Sequence, residues 1–139
     1  MNASSIFGPV LVQVTLTLVV FVLLGARKVA ALKAGTVDLT KTALHPEAWP
    51  DPVLKVSNNL RNQSETPVLF YALCFVLFGL DAVSPLALGL AWVYALSRVA
   101  HAYVHTGNNY VPHRMRLFMV GLAAIIGLTI VAAVAMIGA

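Results

Sequence analysis

LFMVGLAAIIGLTIVAAVAMIGA, residues 117–139, decides the fold: it has neither a charge nor a proline and exceeds the ~20 residues needed to cross about 30 Å of hydrocarbon. A second such stretch runs from Met1 to Ala26 without a charged side chain. Between them, Thr66 to Leu80 is apolar up to Asp81, and a further apolar run follows Ser84-Pro85 as far as Ser97. Each becomes long enough to span if its polar first or last turn belongs to the same helix. The reading is therefore an all-α, integral membrane four-helix bundle of up-down topology. It forms a single domain over 1–139, with helices at about 5–31, 53–81, 84–105 and 112–138.

Composition agrees. With 60% hydrophobic and 10% charged residues, a soluble domain of this length could not cover its apolar surface. No segment alternates polar and apolar residues with the period of two that a membrane barrel requires.

The first span resembles a signal peptide only in hydropathy. Its N-terminus carries no basic residue and the positive charges follow it, so it reads as a retained helix. The segment Arg27–Arg61 holds Arg27, Lys28, Lys33, Lys41, Lys55 and Arg61, and Arg114 and Arg116 follow the third span. Both termini and the Asp81 turn lack Lys and Arg. The positive-inside rule then puts the two basic segments in the cytoplasm and both termini on the non-cytoplasmic side. The basic excess is explained by topology and anionic lipid rather than by nucleic acid. Lack of a retention signal leans toward a bacterial inner membrane.

Within the first loop, His45-Pro46-Glu47-Ala48-Trp49-Pro50-Asp51-Pro52 blocks a continuous helix. A helix restarting near Val53 is expected to run unbroken to Leu80, and Trp49 suits the headgroup level. Cys74 is a lone mid-span thiol and forms no disulfide framework.

Three polar clusters border the spans. A charge at the centre of a membrane helix costs roughly 2.5–3.5 kcal/mol on insertion scales, so their presence calls for a role. In the first, Arg61, Asn62 and Glu65 are spaced to share one face at the cytoplasmic start of the second span. They form either an interfacial Arg–Glu pair or hydrogen-bonding groups for a polar ligand. In the second, Arg98, His101 and His105 lie at i, i+3 and i+7, one stripe directed toward the bundle interior. There Arg98 could pair with Glu65, as a structural ion pair or as part of a site. The H-x-x-x-H spacing has Ala102 in place of the glutamate of a metalloprotease and no third ligand, so no metal is expected. Haem would need histidines on facing helices. In the third, Pro112 starts the last helix, and Arg114 and Arg116 sit near its free N–H groups, where cations are unfavourable unless an anion joins them. Gly107-Asn108-Asn109 supplies the preceding turn.

Several cations, an acid and an amide at one membrane level suit a small zwitterionic or polyanionic ligand. At this point the chain resembles the MAPEG family, the membrane-associated proteins of eicosanoid and glutathione metabolism, which includes prostaglandin synthases and microsomal glutathione transferases. Arg61-Asn62-x-x-Glu65 with Pro67 is similar to the family's R-N-x-x-E element, and Arg98-Val99-Ala100-His101, Gly107, Pro112 and Arg114 follow in the same order. The resemblance implies a homotrimer with glutathione, as co-substrate and without metal, bound between subunits near the cytoplasmic side. It implies that Asn62 and Glu65 bind the tripeptide backbone, that Arg61 and His101 add polar contacts, and that Arg98 supports the site. His105 stands where some members have a tyrosine and would still bind the substrate by donating a hydrogen bond, and Arg114 would be the catalytic cation beside the thiol. Met115 and Phe118 depart from a serine and a tyrosine of the pattern, and the proline follows the glutamate at two residues. The implied activity is a glutathione-dependent transferase or peroxidase on a lipophilic small-molecule substrate arriving from the bilayer. A non-catalytic scaffold and, behind it, a small transporter are the alternatives. Gly121, Ala123, Ala124, Gly127, Ala132 and Ala133 in the last span are expected to permit close approach between helices in an oligomer.

Overall fold

A computed structural model describes residues 2–138, and among these every regular element is helical. A short 3-10 turn, Ala3–Ile6, leads into α1 (Phe7–Lys33). The connecting segment holds the single turn α2 (Leu39–Thr42) and a second 3-10 turn, Pro46–Ala48. Then come α3 (Asp51–Asn62), α4 (Thr66–Gly79), α5 (Pro85–Thr106) and α6 (Val111–Ile137). Two helices, Ala3–Lys33 and Val111–Ile137, are each long and apolar enough to cross a membrane.

Local chemistry explains the boundaries. Asn2 accepts a hydrogen bond from the Ser4 backbone N–H at 3.1 Å and so caps the first turn. Asp38 does the same for α2, and the Thr40 hydroxyl and backbone N–H together hold its carboxyl below the usual range. Ser84 caps α5 by accepting from Ala87 N–H at 3.1 Å, with Pro85 in the first helical position. Lys28 Nζ sits 5.0 Å from the Trp49 ring centroid, which draws the proline-rich segment back onto the end of α1.

The end of α4 is a Schellman turn: Asp81 N–H donates to Phe78 O at 3.1 Å and Ala82 N–H to Leu77 O at 2.9 Å. Asp81 occupies the left-handed position, with φ of 51°, where a β-carbon is unfavourable. Asp81→Gly should therefore stabilise the fold by about 0.5–1 kcal/mol, read as a raised midpoint of thermal unfolding in detergent.

The continuous helix expected over 53–81 is interrupted. α3 stops at Asn62, residues 63–65 form a turn, and α4 starts at Thr66. Pro67 is the cause: it cannot donate a backbone hydrogen bond and its ring opposes helical geometry in the residues before it. Arg61 and Asn62 consequently end one helix while Glu65 immediately precedes the next, so the three do not share a helix face. The same break turns Gln63 inward, where it is buried.

α5 is the central helix, packed against α1, α3 and α6. Its buried face runs Ala87, Ala91, Tyr94, Ala95, Arg98, His101, Ala102 and His105: apolar for the first turns, polar for the last. Phe70 stacks on Tyr94 with centroids 4.3 Å apart, and Phe7 lies 4.8 Å from Phe78, joining α4 to α5 and α1 to α4. Lipid tails are as apolar as these side chains, so contact quality rather than expulsion of water holds such helices together. That is where the small residues of α6 are used. Gly121, Ala124 and Ala132 are buried within the chain, and a β-carbon on Gly121 would lie 2.9 Å from Ser97 Oγ of α5. The expectation that these residues serve contacts between subunits is corrected for those three; Ala123 and Ala133 remain exposed. Large apolar side chains such as Leu18, Phe75, Leu96 and Ile130 are exposed on α1, α4, α5 and α6 respectively.

Candidate functional site

The polar end of α5 meets the ends of α3 and the start of α6. The turn at 107–109 makes this possible: Asn109 adopts a left-handed conformation with φ of 57°, and its N–H donates to Val104 O at 2.8 Å. Asn108 Oδ1 accepts from Tyr110 N–H at 3.1 Å as α6 begins. Val111, rather than Pro112, is the first residue of α6. Arg114 then lies in the opening turns, half-buried, and its Nη1 donates to Asn109 Oδ1 at 2.6 Å.

A cavity of about 220 Å³ opens here, lined by Asn62, His101, Val111, Arg114, Met115 and Phe118. One side is polar and the other apolar, and Phe118 stands 6.3 Å from the His101 ring. On the other side of Arg114 a second cavity of about 270 Å³ is bounded by polar groups of Asp51, Lys55, Asn58, His105 and Asn109. Arg114 lines both.

Electrostatically the region is unbalanced. Arg98 is 1% exposed, and its one hydrogen bond is from Nη2 to the Asn62 carbonyl at 3.3 Å. Its Nε and Nη1, together with Arg114 Nε and His101 Nδ1, are buried without partners. The Arg98–Glu65 ion pair that their opposite charges suggested is not formed: among the described residues the ion pair within 4 Å joins His45 to Glu47 at 3.2 Å, far along the chain from the site. Glu65 and Arg61 are both exposed and line neither cavity. Buried cationic groups with donors left unpaired are costly in protein or lipid surroundings. Such an arrangement accommodates an anion.

Of the residues singled out by sequence, Asn62, His101 and Arg114 share one cavity, Arg98 touches Asn62 behind it, and His105 faces the neighbouring cavity. Three residues escaped the sequence reading. Gln13 Nε2 donates to Gln63 Oε1 at 2.7 Å, Gln63 Nε2 to Asn59 Oδ1 at 3.2 Å, and Asn59 Nδ2 lies 3.3 Å from His105 Nδ1. All are buried, so a chain of amides links α1 to the site. The signal was Gln13, the one amide after Asn2 in an uncharged 26-residue stretch. No group of three or more His, Cys, Asp or Glu that could hold a metal ion is found among the described residues.

The sequence model of the MAPEG family matches residues 6–134. No curated protein and no solved structure matches the chain.

Proposed function

Because this chain belongs to the MAPEG family, we propose that it is a glutathione-dependent transferase or peroxidase acting on lipophilic electrophiles or lipid hydroperoxides. It is an integral membrane protein, as its family and its long apolar helices indicate. We further propose that α1, α5, α6 and the broken α3–α4 pair taken together cross the bilayer, with both basic segments cytoplasmic and the termini opposite. The exposed apolar side chains on α1, α4, α5 and α6 support this. The oligomer proposed with this reading is a homotrimer.

The observation that carries the functional reading is that two residues lining a cavity polar on one side and apolar on the other, His101 and Arg114, each keep a buried nitrogen without a partner, with the unpaired donors of Arg98 behind them. A tripeptide carrying carboxylates, an ammonium and a thiol would supply the missing acceptors. Asn62 both donates and accepts, which suits a peptide backbone. Arg98 holds the Asn62 carbonyl from behind. Glu65 and Arg61, exposed outside both cavities in the single chain, would meet the ligand or a neighbouring subunit.

In the reaction the thiol loses its proton to solvent and Arg114 stabilises the thiolate, aided by the positive end of α6. The sulfur attacks the electrophile entering past Val111, Met115 and Phe118; a carbon–sulfur bond forms and the leaving group departs with its electron pair. With a hydroperoxide the sulfur takes the distal oxygen, the O–O bond breaks and the alcohol leaves. A second glutathione then displaces water from the sulfenic acid to give the disulfide.

Isothermal calorimetry of the detergent-solubilised protein tests this reading. Glutathione is expected to bind, with a thiolate band appearing in the ultraviolet, and Glu65→Ala should weaken binding by about fivefold, as loss of one exposed charged contact would. Absence of both heat and band in the wild type would reject the enzyme in favour of a scaffold.

A further inference from the structure

We infer that Asn59 is a positioning residue that holds His105 in its Nε2–H tautomer, so that the polar cavity beyond Arg114 presents a hydrogen-bond donor to a carboxylate of the thiol tripeptide. The inference rests on the glutathione reading above for its ligand, but not for the tautomer.

The argument begins with what an amide can do. Asn59 Nδ2 carries two hydrogens and no lone pair free to accept, so its contact with His105 Nδ1 at 3.3 Å makes Nδ1 the acceptor. A neutral imidazole accepting at Nδ1 carries its proton on Nε2. The orientation of Asn59 is in turn fixed by Gln63, whose Nε2 donates to Asn59 Oδ1 at 3.2 Å, and that of Gln63 by Gln13, whose Nε2 donates to Gln63 Oε1 at 2.7 Å.

Such a chain could in principle run in either direction. Its far end decides. As it stands, the unpartnered atom is Gln13 Oε1. Flipping every amide would instead leave both hydrogens of the fully buried Gln13 amino group unpaired. The observed direction leaves the oxygen and one amino hydrogen unpaired in place of two hydrogens, and an unpaired buried acceptor is better tolerated than an unpaired N–H. The proton on the histidine ring is thus set by an amide on another helix.

At the near end, Nδ1 is occupied, so Nε2 is the ring nitrogen left for the cavity that His105 lines. Around it stand Arg114 and Lys55, both cationic, with Asp51 the acid of the lining. Lys55 Nζ already donates to Gly107 O at 3.4 Å, which holds it over the same turn. Three donors from α3, α5 and α6 converge there, a set suited to a carboxylate. With the opposite tautomer, His105 would offer a lone pair to the same anion.

The test is nitrogen-15 NMR of the full-length protein, labelled at histidine, in lipid nanodiscs without glutathione. His105→Gln identifies the His105 signals among the four histidines. The expected pattern is an unprotonated Nδ1 and a protonated Nε2. In Asn59→Asp the carboxylate can only accept, so the two shifts should exchange, and KM for glutathione should rise about tenfold with kcat less affected. A wild-type ring protonated on Nδ1, or shifts unmoved in a folded Asn59→Asp, overturns the inference. If that variant does not fold, the wild-type spectrum decides alone. The expected tautomer in a protein that binds no glutathione would overturn the functional reading and leave the positioning role standing.

Discussion

Arg114→Gln should lower kcat/KM for glutathione-dependent turnover by roughly 10- to 30-fold at neutral pH, with the loss shrinking as pH rises. A free thiol ionises near 8.5, and bringing it to about 7 requires ~2 kcal/mol of thiolate stabilisation at 1.36 kcal/mol per unit. A cation favours the charged form, so removing it moves the ionisation up. The wild-type rate should level off above about pH 7, and that of the variant should keep climbing to about 8.5. Arg114 is placed for this by geometry that glutamine cannot copy. Its Nη1 is held on Asn109 at 2.6 Å and its buried Nε is unpartnered, and the residue lines both cavities. Arg114→Lys keeps the charge and should recover part of the activity. A pH–rate profile of Arg114→Gln superimposable on the wild type would remove Arg114 from the chemistry.

Gly121→Leu is expected to produce the largest structural effect, destabilising the fold by about 1–3 kcal/mol or more. The β-carbon would lie 2.9 Å from Ser97 Oγ and 3.6 Å from the Tyr94 ring. Neither neighbour has room to retreat. Ser97 Oγ donates to the Tyr94 carbonyl at 2.7 Å, and the Tyr94 ring is stacked on Phe70 while its hydroxyl bonds Thr66 at 3.1 Å. α5 must then move off α6, which separates Arg98 and His101 from Arg114. Thermal unfolding and glutathione affinity should fall together. Gly127→Ala is the comparison: its close neighbour is the Leu90 side-chain tip at 2.9 Å, which can change rotamer, so the effect should be small. Equal losses at the two positions would show that α5–α6 packing does not set the site.

Much of this was legible from residue order. Uncharged runs identified α1 and α6, because the length of an apolar stretch is set against a fixed bilayer thickness. The spacing of Arg98, His101 and His105 placed them on one inward stripe, because helical periodicity is local. The spacing of Arg61, Asn62 and Glu65 misled for the same reason. It presumes an unbroken helix, and Pro67 ends that assumption two residues beyond Glu65. The Arg98–Glu65 pair was inferred from charge alone, and the structure leaves Glu65 exposed.

By itself, then, the sequence determined an all-helical membrane chain, the family it belongs to, and which polar residues demand explanation, since these depend on composition, period and motif order. Only the tertiary structure decided that Asn62, His101 and Arg114 wall one cavity, that Glu65 does not reach Arg98, and that Gln13, fifty residues from Gln63, completes the amide chain to His105. Those outcomes hang on where separate helices cross and which way a turn sends the backbone, and no local pattern encodes the partner that a buried donor finds on another helix.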